Sequence, residues 1–271
     1  EGSSTSSRAH PSTHPMDYRR AEKIVAAHGT PLLMVSENRL RSAFRELDAA
    51  LSDVELYYAV KANSAPEVIR LLDLEGAKYD LASSGEIEIL KTCGITADRC
   101  IHTHPIKTHL EIQRAVDYGI EIFVADNEFE LDKFLPFKDK VRLLIRMSIE
   151  NPACVVNLSH KFGAKPADTF GLIRAAHDRG LRVAGISFHV GSQTPNPLKH
   201  IEALEFCRDI CRKAALARIP LEIIDIGGGF PINYETQVIP IAQFCAPIND
   251  FNERYFANYR VIAEPGRVVV G

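Results

Sequence analysis

Lys61 follows an apolar run, VELYYAV at 54–60, and is itself followed by Asn63 and Ser64. A lysine closing a strand is ordinarily a solvated surface group. It becomes a nucleophile only where other groups converge on its amine. Several residues could supply that convergence. Gly227, Gly228 and Gly229 in DIGGGFP offer backbone amides with no Cβ in the way, a nest for an anion such as phosphate. Arg267 in AEPGR could add a charge-assisted donor, and Ser192 in FHVGSQ a hydroxyl. Asp80, His102, His104, Asp126, Arg146, His189 and Glu264 are among the other polar or charged residues closing apolar runs. A tight turn is the plain alternative for three glycines in a row. The pattern is neither GxGxxG nor a GK[ST] loop.

What must position these residues is an alternation of strand-like and helix-like segments. LLMVS (32–36) has strand character, and ENRLRSAFRELDAAL (37–51) is amphipathic. Eight further strands are expected at 54–60, 77–82, 99–104, 120–125, 140–148, 182–190, 221–227 and 259–266. Helical segments at 65–76, 84–94, 107–119, 127–135, 166–180, 197–218 and 239–256 separate them. Such alternation implies a parallel sheet. Eight repeats in about 220 residues favour a closed (β/α)8 barrel over an open doubly wound sheet. In a barrel the strand C-termini form one mouth, and a phosphate site commonly follows strands seven and eight. Lys61 and the glycine run would then meet.

A lysine and a phosphate nest in one barrel mouth suggest pyridoxal phosphate. Lys61 would form a Schiff base with its aldehyde. That chemistry needs a neutral amine part of the time, so burial and cationic neighbours are expected to lower the Lys61 pKa. Glu264 would pair with the pyridine nitrogen and make the ring an electron sink. His189 could stack on the ring; taken alone, a satisfied core histidine is the simpler reading. His102 and His104 with Asp126 could be metal ligands, but no complete ligand set is evident and no metal is expected. Lys161 reads as a solvated lysine.

The net charge of −3 gives no reason to expect nucleic acid or a membrane surface as partner. No window approaches a membrane span. The tail at 1–16 is rich in Ser, Thr, His and Pro, lacks an apolar signal core and is expected to be disordered. A lead-in helix and strand would occupy 17–36 and the barrel 37–271. Six cysteines contain no CxxC pair, so free thiols and a cytoplasmic location are the expectation. Cys207 and Cys211, four apart, read as buried packing on one helix face.

YYAVKAN, YDLASSGEIE, FHVGSQ, DIGGGFP and AEPGR, in this order and spacing, resemble the ornithine/lysine decarboxylase family. These are pyridoxal-phosphate enzymes of the alanine-racemase-like barrel class, fold type III. The resemblance runs from residue 31 to 271. It implies decarboxylation of a basic amino acid to a diamine, with Lys61 holding the cofactor and Asp80 in the polar network beside it. It places Arg146 at the cofactor's face or edge, His189 on the ring, and Glu264 at the ring nitrogen. Ser192, Gly227, Gly228, Gly229 and Arg267 would hold the phosphate.

The chain also departs from the family. Members continue into a C-terminal β domain that supplies a catalytic cysteine and a substrate-binding aspartate across a dimer interface. None of the six cysteines here matches that motif. The expected site is therefore incomplete in this chain, to be completed by a homodimer partner or a complementing C-terminal chain. LLMVS would lack its strand partners. His104 in THPIK stands where relatives commonly carry asparagine. Two alternatives stay open: a non-catalytic cofactor-binding or partner-binding relative, and an enzyme like diaminopimelate decarboxylase. A racemase of the same fold fits less well, because a carboxylate at Glu264 promotes protonation of the ring.

Overall fold

In a computed structural model, residues 18–233 and 237–271 are described. The expected tail at 1–16 lies outside them. The described residues fall into two compact units, divided between Ser36 and Glu37. The first contains helix α1 (Tyr18–His28), amphipathic with no buried residue. Residues 32–36 form no strand, contrary to the expectation from LLMVS, and Leu33 is 91% exposed. A strand exists only through a neighbour's hydrogen bonds. Its side-chain pattern alone does not make one.

The second unit is a closed barrel of eight parallel strands in sequence order. The strands are β1 (Val54–Ala59), β2 (Lys78–Leu81), β3 (Cys100–His102), β4 (Ile122–Ala125), β5 (Arg142–Ser148), β6 (Val183–His189), β7 (Ile223–Asp225) and β8 (Arg260–Ala263). Closure comes from β1 pairing with β8, with Val54 opposite Val261 and Leu56 opposite Ala263. Around the barrel lie α2 (Glu37–Ala50), α3 (Pro66–Leu74), α4 (Ser84–Thr92), α5 (His109–Tyr118), α6 (Glu128–Phe134), α7 (Pro166–Asp178), α8 (Leu198–Leu216) and α9 (Ile241–Tyr255). A four-residue helix α10 (Arg267–Val270) follows β8 and was not anticipated from the sequence.

Local chemistry marks the helix starts. Thr108 and Glu111 form a capping box on α5, and Asn127 caps α6. Ser83, two residues after β2, caps α4. Asn249 on α9 donates to the Ala50 carbonyl at 2.9 Å, tying the last long helix to the first around the ring.

Strand alternation divides the core in two. A large apolar layer lies between sheet and helices. A smaller cluster, including Tyr57, Ile101, Val124, Leu144, Ile223 and Ile262, fills the barrel interior. Two residues further along the strands, the interior phase turns polar: Thr103 after Ile101, Arg146 after Leu144, Asp225 after Ile223 and Glu264 after Ile262. One period-2 pattern therefore packs the barrel and then delivers charge to its C-terminal mouth. Behind β3, Lys107 is fully buried, its ammonium bonded to the carbonyls of His104 (2.7 Å) and Val124 (2.7 Å) and paired with Glu130 at 3.0 Å. It pins the loop leaving β3 to the strand beside it. Among the described residues, no helix is long and apolar enough to cross a membrane.

Candidate active site

β1 ends at Ala59, so Lys61 lies in a 3-10 turn (Val60–Ala62) and not on the strand itself. Tyr58 donates to the Asn63 carbonyl at 2.9 Å, and the Asn63 side chain accepts from the Ala65 amide at 3.1 Å. These bonds fix the turn that aims Lys61 across the mouth. Ala59 pairs with Asp80 on β2, which brings the Lys61 ammonium to 3.7 Å from the Asp80 carboxyl. The lysine side chain keeps 55% of its exposure and faces the opening, whereas Asp80 is 1% exposed. The other Asp80 oxygen accepts from the Thr103 hydroxyl.

Burial, and next the charge of Glu264, push Asp80 up to about 7, with Lys61 and Thr103 acting the other way. Lys61 moves opposite to the expectation. Burial acts to lower it, but the carboxylates of Asp80 and Glu264 outweigh burial and Arg146 together, and the amine is held above the usual lysine value. The barrel does place one cation there, Arg146, but two acids, on β2 and beyond β8, outweigh it.

Glu264, just past β8, is 6% exposed. Burial and the facing carboxyl of Asp225 hold it well above the usual carboxylate range. Asp225 is fully buried, raised by its own burial, and accepts from the Gly227 amide at 2.9 Å. Sequence reasoning passed over Asp225. Its signal was available: an acid two residues after Ile223, on the interior phase of a buried strand.

Arg146 on β5 is 9% exposed, and its guanidinium lies 5.3 Å from the centre of the Phe162 ring. His189 ends β6. Its Nδ1 accepts from the Gly191 amide at 2.9 Å, so the neutral ring carries its hydrogen on Nε2. Burial, then the positive charges of Arg146 and Lys61, keep it neutral by lowering its pKa well below the usual value. Ser192 is held by its backbone to the loop after β5, donating to Val156 at 3.1 Å and accepting from Val155 at 2.9 Å.

The glycine run follows β7. Gly227 (φ 64) and Gly229 (φ 100) take left-handed backbone that side chains resist. At Gly228 the reason is space: a Cβ would stand 2.8 Å from the Glu264 carbonyl oxygen and 3.2 Å from His189 Nε2. The amides of Gly228, Gly229 and Phe230 find no acceptor among the described residues. Arg267 opens α10 beside them.

Lys61, His189, Ser192, Gly228, Gly229, Glu264 and Arg267 share the lining of one cavity of about 280 Å³. Asp80, Arg146 and Gly227 are not part of that lining; Asp80 and Arg146 act on it through charge, and Gly227 through the backbone of the loop. The His102, His104 and Asp126 grouping is not assembled. The His102 ring stacks on Phe123 at 5.8 Å in the helix-facing layer, and Asp126 accepts from the Gly163 amide at 2.9 Å. Among the described residues, no group of three His, Cys, Asp or Glu side chains is placed to hold a metal ion.

Unpartnered amides in a cradle that a Cβ would fill, with a cation and a hydroxyl beside them, fit a phosphate group. Comparison with known proteins agrees. Residues 37–271 match the model of the pyridoxal-dependent decarboxylase family, pyridoxal binding domain. The chain is 34% identical to the lysine/ornithine decarboxylase of Selenomonas ruminantium over 243 residues, 89% of this chain and 62% of that protein. It is 32% identical to the ornithine decarboxylase of Caenorhabditis elegans over 250 residues, 91% of this chain and 59% of the relative. The crystal structure of the lysine/ornithine decarboxylase of Vibrio vulnificus complexed with cadaverine superposes with a TM-score of 0.86 at 43% identity, covering 92% of this chain and 65% of that one. The chain thus spans about 60% of the length of the curated relatives it matches. It belongs to the pyridoxal-dependent decarboxylase family, whose pyridoxal-binding domain it matches from Glu37 to Gly271.

Proposed function

We propose that this chain binds pyridoxal phosphate through Lys61 and serves the decarboxylation of ornithine or lysine to a diamine. One observation carries the reading: the Lys61 amine, beside Asp80, opens into the same cavity as the unpartnered amides of Gly228 and Gly229. The named activities of the relatives, and cadaverine in the Vibrio vulnificus structure, point to the substrate class.

When bound, pyridoxal phosphate supplies an aldehyde that takes up amines and a ring that draws electrons from the substrate α-carbon. The residues here would prepare for that chemistry. Lys61 must lose a proton before its nitrogen can attack, and Asp80, with a pKa near 7, is the neighbouring group able to accept it. Gly227, Gly228, Gly229, Ser192 and Arg267 would hold the phosphate. His189, kept neutral, would lie against the ring, and Arg146 would add fixed positive charge near Glu264. Glu264 would face the ring nitrogen. Burial and Asp225 raise its affinity for a proton, which suits a group that would share one with the ring nitrogen.

Glu264 is the only carboxylate lining the described cavity, and it is engaged with Asp225. The acid that meets the substrate's distal ammonium would come from a second copy of the chain or from a complementing segment. The six unpaired cysteines fit a reducing compartment, and the reading places the chain in the cytoplasm.

The test is borohydride reduction of the chain with pyridoxal phosphate, followed by peptide mapping and by assays of CO2 release from ornithine and lysine. The reduced cofactor is expected on Lys61 and should be lost in Lys61→Met. Label on Lys61 with no CO2 release, even when a complementing segment is supplied, would favour a cofactor-binding, non-catalytic relative. A folded chain with Lys61 unmodified would end the proposal.

A further inference from the structure

Glycine loops are good anion cradles because they have no side chains, and for the same reason they do not hold themselves in place. Gly229 at φ 100 could rotate its neighbouring peptide planes at small cost. Something outside the loop has to fix which way each amide points.

Two contacts do so. The Thr194 amide donates to the Gly229 carbonyl at 2.9 Å. His200 Nε2 lies 3.2 Å from the Gly228 carbonyl. In a trans peptide the carbonyl and the following N–H point in opposite directions. Holding the Gly228 carbonyl therefore turns the Gly229 amide the other way, and holding the Gly229 carbonyl does the same for Phe230. Those are amides with no acceptor among the described residues.

His200 is an unusual residue to find here. It lies in the first turn of α8, fully buried. Its ring stacks on Phe230 (5.5 Å, 25°) and meets the edges of Phe188 and Phe244. An apolar ring would fill this aromatic box without any cost for burying nitrogen. Nδ1 has no partner, so the Gly228 carbonyl is the imidazole's one polar contact among the described residues. A carbonyl can only accept, so Nε2 carries the hydrogen. Burial keeps the ring neutral, with a pKa lowered to about 4. It contributes direction to the loop and no charge.

We propose that His200 is a positioning residue for the phosphate cradle, anchoring the Gly228 carbonyl so that the Gly229 amide faces the cavity. This rests on the cofactor reading above. It is tested by the affinities of the full chain for pyridoxal phosphate and for pyridoxal, which lacks the phosphate, in wild type, His200→Phe and His200→Gln. The 31P resonance of the bound phosphate provides a readout independent of turnover.

The Phe variant should bind pyridoxal phosphate about tenfold more weakly, with a shifted 31P signal and pyridoxal affinity within about twofold of wild type. The Gln variant, with a donor in reach, should recover most of the loss. Equal losses for both ligands, no loss, or a Gln variant no better than Phe would overturn the proposal. If Phe does not fold, His200→Met is read by the same criteria. A wild-type chain that binds inorganic phosphate but forms no lysine adduct sinks only the functional reading, and the variants are then compared on inorganic phosphate. A wild-type chain that binds neither sinks both.

Discussion

Lys61 and Asp80 stand 3.7 Å apart across the β1–β2 edge of the barrel mouth, one half-exposed and the other sealed. The Ala59–Asp80 register sets this spacing. A one-residue slip would turn Asp80 into the helix layer and put Tyr79 in its place. The pair is also unequal. Asp80, raised to about 7, can exchange a proton near neutrality, while the lysine is held charged by the two acids around it.

The acid side of this pair predicts a pH dependence in the cofactor-free chain. Asp80 binds its proton more tightly folded (about 7) than in its unperturbed state (3.8). The folded state therefore holds more protons between those values, and stability falls as pH rises from about 4 to about 7, then levels off. Asp80→Asn removes that contribution. Its Tm relative to wild type should rise over this window and stay flat above it, as checked by thermal melts at about pH 4.5, 6 and 7.5. A gap that shrinks with pH would mean that pairing with Lys61 dominates.

Glu264→Gln should separate binding from chemistry. The amide keeps the shape and can still donate a hydrogen bond, but it cannot transfer a proton to a ring nitrogen. Pyridoxal phosphate affinity should stay within about threefold, while, on the proposed reading and with the site completed, decarboxylation in single turnover falls about 100-fold or more. The pH titration of the bound cofactor's absorbance should shift as well, which can be measured without turnover.

Gly228→Ala and Gly171→Ala form a matched pair. The first puts a Cβ 2.8 Å from a backbone oxygen in the cradle. It should cost about 1–3 kcal/mol of stability and weaken pyridoxal phosphate binding about tenfold or more. The second, in α7, meets nothing within 4 Å. It should stabilise the chain by about 0.5–1 kcal/mol and leave binding unchanged. Isothermal titration and denaturant melts on both variants check this.

Lys107→Met tests the buried ion pair behind β3. Burial lowers the Lys107 ammonium to about 8, with Glu130 opposing the fall. Removing it leaves the His104 and Val124 carbonyls without that donor. The cost should be roughly 3 kcal/mol, a fall of about 6–12 °C in Tm at this domain size. Melting curves measure it, and cofactor affinity at low temperature should be nearly unchanged.

The sequence by itself determined the barrel and most of its mouth. Both signals are local: alternation of strand and helix periods, and polar residues closing apolar runs. Lys61, Asp80, Arg146, His189, Gly227 and Glu264 were all legible as ends of buried segments. Only the tertiary structure decided their relations. Strand register placed Asp80 against Lys61 and Asp225 against Glu264, reversing the expected direction of the Lys61 shift. His200 and Thr194 could not be tied to the glycine loop from sequence, because each reaches it from another element more than 25 residues away. LLMVS shows the converse: its pattern is that of a strand, but a strand's backbone bonds belong to a neighbour, and none pairs with it among the described residues.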